Sequence, residues 1–170
     1  MKNFSLDCIT IKPKENEAIK KAIVLLHGYG GDGSDISMLS HNWKRHLKNT
    51  VIICPNGHER CKINPSGFQW FDLSIDDENY ILNQSLNAEI KINNFLSEIK
   101  NEYKLNNSDI CLSGFSQGCM IAINVALTTQ IPFNSLVGFS GKIINKKNLS
   151  ERISSKPKIL LIHGNLDSVV

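Results

Sequence analysis

Gly114-Phe115-Ser116-Gln117-Gly118 sets a serine between two glycines at the spacing G-x-S-x-G. An apolar run, Ile110 to Leu112, leads into it, and a run of helical length, Cys119 to Leu127, follows. Strand, sharp turn and helix in that order make a nucleophile elbow, in which the serine hydroxyl projects from the top of a sheet. The glycines let the strand and helix backbones cross closely on either side. N–H groups at the helix start, that of Gln117 among them, then point at negative charge developing on a substrate oxygen. The chemistry is acyl transfer through a covalent serine intermediate. The competing reading is an ordinary glycine-rich turn with Ser116 as a helix cap.

A second stretch, His27-Gly28-Tyr29-Gly30-Gly31-Asp32-Gly33, follows the aliphatic run Ala22 to Leu26. Such a loop brings backbone close to a ligand, and Tyr29 is the candidate for a second oxyanion N–H. His27 reads as a strand-end histidine bonded to local backbone rather than as a general base. No Gly-Lys-Ser/Thr follows, which excludes a Walker-type phosphate loop. The third piece is Asp167, just past the run Lys158 to Ile162. A serine hydroxyl needs a base, and the base needs a carboxylate to orient it. On this architecture the chain order is Ser, then Asp or Glu, then His. Ser116 and Asp167 fill the first two places. His27, His41, His46, His58 and His163 all precede Asp167. His58 lies in a long loop from which it could swing toward Ser116, and His163 reads as structural. The residues therefore supply a nucleophile, an acid and an oxyanion site, with no evident base.

The elements that must carry these residues alternate. Residues 4–11 read as an edge strand, 22–26 and 158–162 as buried strands, 50–54, 110–112 and 136–139 as short strands, and 34–47, 76–103 and 119–127 as helices, with a short helix near 149–153. Residues 55–77 form a long irregular stretch containing Phe68-Gln69-Trp70-Phe71-Asp72. Its aromatics, Trp70 and Phe71 among them, suit a wall receiving an acyl chain, and equally suit anchoring the loop to the core. The whole chain, 1–170, is expected to be one α/β domain with a mostly parallel sheet and helices on both faces. The chemistry falls at the carboxyl ends of its strands, where open α/β sheets bind ligands.

Composition narrows the function classes. A net charge of +3 spread evenly along the chain lacks the concentrated basic face that nucleic acid requires. Five cysteines, an odd number without C-x-x-C spacing, read as reduced thiols. The N-terminus lacks the apolar core of a signal peptide and no run spans a bilayer, so a cytoplasmic location is expected.

Taken in order, LLHGYGGDG (Leu25 to Gly33), Pro55-Asn56-Gly57, GFQWFD (Gly67 to Asp72), LSGFSQGCMIA (Leu112 to Ala122) and ILLIHGNLDSVV (Ile159 to Val170) resemble the phospholipase/carboxylesterase group of α/β-hydrolases, which includes acyl-protein thioesterases. The resemblance implies Ser116 as nucleophile, Asp167 as triad acid, the Tyr29 and Gln117 amides as oxyanion hole, and Trp70 in the acyl-site wall. It also implies a cytosolic esterase with no metal or cofactor, acting on small acyl esters, lysophospholipids or acyl thioesters. Relatives continue past this Asp through a further strand, a Gly-His that supplies the base, and a closing helix. The expectation is therefore a chain truncated at the C-terminus, either a fragment or an early-ending reading frame. An unpaired sheet edge prone to weak self-association would follow. The alternatives are a catalytically impaired remnant and an acyl-binding protein of the same fold.

Overall fold

The computed structural model describes residues 4–14 and 16–167. The last three residues of the closing motif, from Ser168 on, lie outside them. Aliphatic and β-branched runs form six strands in one sheet: β1 (Cys8–Ile11), β2 (Lys21–Leu26), β3 (Thr50–Pro55), and then, beyond a small two-stranded ribbon of β4 (Glu59–Arg60) and β5 (Phe68–Gln69), β6 (Ile110–Phe115), β7 (Ser135–Phe139) and β8 (Lys158–Ile162). Their order is β1-β3-β2-β6-β7-β8, with β1 antiparallel and every other neighbour parallel. This is the mostly parallel α/β sheet expected, with β1 at an edge.

Side chains alternate across the sheet as the pleat requires. Val24 and Leu26, Val51 and Ile53, and Ile110 and Leu112 join the main core with α2 (Glu78–Tyr103) and α3 (Gln117–Thr128). Leu25, Ile52 and Cys54 form a smaller core with Ile36 of α1 (Gly33–Ser40). The α2 stripe runs through Ala88, Ile92, Phe95 and Ile99, at helical spacing. Its N-cap is Asp77, whose side chain accepts the Tyr80 amide at 2.7 Å. Buried Glu89 of α2 binds Asn124 of α3 and Arg152 of α4 (Lys146–Arg152), so one carboxylate ties three helices together.

Two expectations need correction. The helix expected to reach Leu47 ends at Ser40, and residues 43–45 make only a 3-10 turn. Ser37 and Ser40 hydroxyls bond back to the Ser34 and Ser37 carbonyls at 2.7 and 2.6 Å, competing with the helical backbone for its acceptors. The strand at 158–162 forms but is not buried: Ile159, Leu160, Leu161 and Ile162 are 47–58% exposed. Among the described residues it is the terminal strand of the sheet, paired with β7 alone, and both of its faces stand half exposed.

The expected irregular stretch from 55 to 77 contains β4 and β5 and is pinned at Asp72. That buried carboxylate accepts the Ser74 amide and hydroxyl at 2.8 and 2.9 Å, the Tyr80 hydroxyl at 2.8 Å, and the Lys62 ammonium. Burial alone would raise its pKa; Lys62 and the Ser74 and Tyr80 donors together hold it well below the usual carboxylate range. All five cysteines are free thiols, and burial pushes Cys54 up to about 12 and Cys119 to about 11. Among the described residues no helix is long and apolar enough to cross a membrane.

Candidate active site

Ser116 joins β6 to α3 with φ 50° and ψ −116°, a conformation that costs a non-glycine residue of order 1–3 kcal/mol. Its backbone is held on both sides. The Ser116 amide donates to Phe139 of β7 at 2.8 Å, and its carbonyl accepts the Met120 amide at 3.0 Å. The glycines permit the crossing. A Cβ at Gly114 would stand 2.3 Å from the Gly118 carbonyl, and one at Gly118 would stand 2.4 Å from the carbonyl oxygens of Leu26 and His27. Ser116 occupies the N-cap position of α3, yet its hydroxyl makes no capping bond. The strained turn therefore does not serve a serine cap.

The glycine loop after β2 meets this elbow directly, because Leu26 is the register partner of Gly114. His27 is 1% exposed. Its Nε2 accepts the Gly57 amide at 2.8 Å, which leaves the proton on Nδ1, 2.7 Å from the Gly28 carbonyl oxygen. Burial lowers the pKa of this ring. Both nitrogens are spent on holding the loop, as the sequence reading of His27 expects. Asn56 assists by accepting the Gly33 amide at 2.8 Å.

Trp70 and Phe71 are 0% and 1% exposed and line no open surface. Trp70 stacks on the His27 ring with centroids 5.0 Å apart, and its indole N–H donates to the His27 carbonyl at 2.9 Å. Of the two uses open to these aromatics, anchoring is the one observed. The open apolar surface next to the elbow is a groove of about 370 Å³ between the glycine loop and α1, lined by Gly28, Tyr29, Ile36, Leu39 and Phe115, with Asp35 on its margin. The sequence signal for it is the apolar spacing of Ile36 and Leu39 directly after the glycine loop, which the helix expected at 34–47 did not tie to the site. A cavity of about 480 Å³ lies elsewhere, among Asn56, His58, Phe68, Lys91 and Asn94, and contains no elbow residue.

The strand ends bring Asp167 to the same edge of the sheet. Phe115, Phe139 and Ile162 are in register across β6, β7 and β8, and Asp167 follows Ile162 by five residues. Its Oδ2 lies 3.5 Å from Nε2 of His163, and its amide donates to Gly164 at 3.0 Å. His58 sits beside Glu59 at 3.6 Å; burial lowers its pKa, with Glu59 opposing that shift and Lys91 adding to it. Among the described residues no cluster of three or more His, Cys, Asp or Glu side chains could hold a metal ion.

This geometry has relatives. The Phospholipase/Carboxylesterase family matches residues 6–170. The chain is 25% identical over 183 residues to acyl-protein thioesterase 1 of Schizosaccharomyces pombe, covering 97% of this chain and 75% of that protein. It is likewise 25% identical to acyl-protein thioesterase 1 of Saccharomyces cerevisiae, over 89% of this chain and 72% of that one. The crystal structure of esterase PE8 superposes with a TM-score of 0.91 at 36% identity, covering 97% of this chain and 77% of the other. The family match over residues 6–170, with the fold shared with that esterase, makes this chain a member of the phospholipase/carboxylesterase family of α/β-hydrolases, and so, by family, a carboxylic ester hydrolase.

Proposed function

We propose that Ser116 is the nucleophile of an esterase that works through an acyl-enzyme. The observation that carries this is the strained, uncapped elbow, because a serine held at φ 50° without a capping role has no structural reason to be there. In the proposed reaction Ser116 Oγ adds to the ester carbonyl, and its proton passes to a base. The oxyanion rests on the amides of Tyr29 and Gln117. Collapse of the intermediate expels the alcohol, and water then releases the acid. Gln117 opens α3, so its N–H is one of those that no helical carbonyl can accept. The groove of Ile36, Leu39 and Phe115 takes the apolar part of an acyl ester, the role first expected of Trp70 and Phe71.

Asp167 is the proposed triad acid. The described histidines do not offer a base as they stand, since His27 is engaged at both nitrogens and His58 lines the other cavity. The chain spans about three quarters of the length of its curated relatives. On this reading the 170 residues hold two triad members, and turnover is lower by roughly 10³ or more than in a form carrying a histidine after Asp167. Hydrolysis of p-nitrophenyl butyrate tests the assignment. Labelling by a fluorophosphonate probe checks it more directly: the parent is expected to be labelled at Ser116 and Ser116→Ala is not, and labelling that ignores the substitution would remove Ser116 from the reaction.

A second reading, an acyl-binding protein with little turnover, is favoured by the pairing of Asp167 with His163, which turns the proposed acid toward its own strand end. It predicts that decanoate binding survives in Ser116→Ala while the parent hydrolyses no ester faster than that variant.

A further inference from the structure

The two amides proposed for the oxyanion hole belong to different loops, and the sheet ladder stops short of both. β2 ends at Leu26 and β6 at Phe115, while the amides sit at Tyr29 and Gln117. Two donors must lie 2.7–3.1 Å from one oxygen to act together, and an error of about 1 Å costs about 10²-fold in rate. Something beyond the ladder must set their spacing.

The segment Phe68–Phe71 spans the gap. At one end it pairs with the glycine loop in both directions: the Gly30 amide donates to the Phe68 carbonyl at 2.9 Å, and the Phe68 amide to the Gly31 carbonyl at 2.8 Å. At the other end it meets the Gln117 side chain, which imitates a neighbouring strand. Gln117 Oε1 accepts the Trp70 amide at 2.9 Å, and its Nε2 donates to the Phe71 carbonyl at 2.7 Å. The Trp70 indole closes the frame on His27. Tyr29 is thus bracketed, with the His27 carbonyl held before it and the Gly30 amide after it. Gln117 and Trp70 are 0% exposed and His27 is 1% exposed, so water does not compete for these bonds.

We propose that the Gln117 carboxamide and the Trp70 indole are positioning residues that fix the spacing of the Tyr29 and Gln117 amides. Gln117 thereby serves twice, by its backbone as donor and by its side chain as spacer. This rests on the esterase reading above. The carboxamide supplies an acceptor and a donor, both neutral, to successive backbone groups of one strand. A carboxylate at 117 would set negative charge against the Phe71 carbonyl, whereas a protonated carboxyl restores the donor.

The test is steady-state hydrolysis of p-nitrophenyl butyrate by the 170-residue chain and its Gln117→Glu, Trp70→Phe and Ser116→Ala variants, with melting curves for each. Catalysis that survives without a base comes from the oxyanion donors and binding, so this chain is a sensitive reporter. Gln117→Glu is expected to lose about 10²-fold in kcat at pH 8 with KM unchanged, and to recover relative to its parent as falling pH protonates the buried carboxyl. Trp70→Phe keeps the ring and loses only the indole donor. It is expected to lose kcat about tenfold while remaining folded, and it decides the matter if Gln117→Glu does not fold. Folded variants with the parent's kcat, or losses that follow melting temperature with no pH recovery, would overturn the proposal. Failure of the esterase reading looks different, since the parent would then not be labelled at Ser116 by a fluorophosphonate probe.

Discussion

At the residue level, the site is built by buried polar side chains that hold backbone in place. His27 is the clearest case, because its two nitrogens bond Gly57 and Gly28 only while the ring is neutral. Burial lowers its folded pKa below the ordinary histidine value of about 6.5, so the unfolded chain binds the proton more readily. Its contribution to stability is therefore complete above about pH 6.5 and declines as pH falls through that value toward the folded pKa. His58, lowered by burial and by Lys91, acts with the same sign. Melting temperature is expected to drop between pH 7 and 5. The double variant His27→Gln, His58→Gln is expected to flatten that slope, and an unchanged slope would show that other groups control it.

Among the elements, the segment from 55 to 77 turns from a loop into a scaffold part because its ends are pinned. Asp72 gathers Lys62, Ser74 and Tyr80 at one end, and Gly57 bonds His27 at the other. The helices are tied in a comparable way by Glu89. Removing Arg152 leaves that buried carboxylate with the Asn124 amide in place of a cation, an expensive position for a charge. Arg152→Met is expected to lower unfolding stability by roughly 2–3 kcal/mol, below the full cost of breaking a buried pair because Arg152 is partly in water. Urea denaturation gives the value, and a change under 0.5 kcal/mol, roughly that of a surface substitution, would relegate the contact to the surface class.

Across the whole molecule, the sheet order β1-β3-β2-β6-β7-β8 puts β2, β6 and β8 ends on one edge, which gathers the glycine loop, the elbow and Asp167. The same order leaves β8 as an unguarded edge. Its only charge is Lys158, and its four aliphatic side chains stand half in water on both faces. Such a strand invites pairing with another chain. Concentration-dependent association is expected in analytical ultracentrifugation, and Leu160→Lys is expected to weaken it by placing a charge at mid-strand. Association unaffected by that change would clear β8 of the role.

Features that depend on neighbours in the chain were legible in the amino-acid sequence. The elbow, the glycine loop, the aliphatic strand runs and the span of α2 all follow from local sterics and hydrophobic patterning, and each lies within one or two elements. What the tertiary structure decided depends on partners far along the chain. An aromatic run such as Phe68 to Phe71 looks the same whether it faces solvent or core, and only the meeting with His27 and Gln117 buries Trp70. An aliphatic strand looks the same at a sheet's centre and at its edge, so β8 read as buried until its place in the strand order was known. The Gln117 side chain gives no local signal at all, since its partners lie 47 and 46 residues away. Sequence alone singled out the residues proposed to carry chemistry; packing alone decided what holds them in register, because hydrogen-bond geometry is set by the strand across the gap.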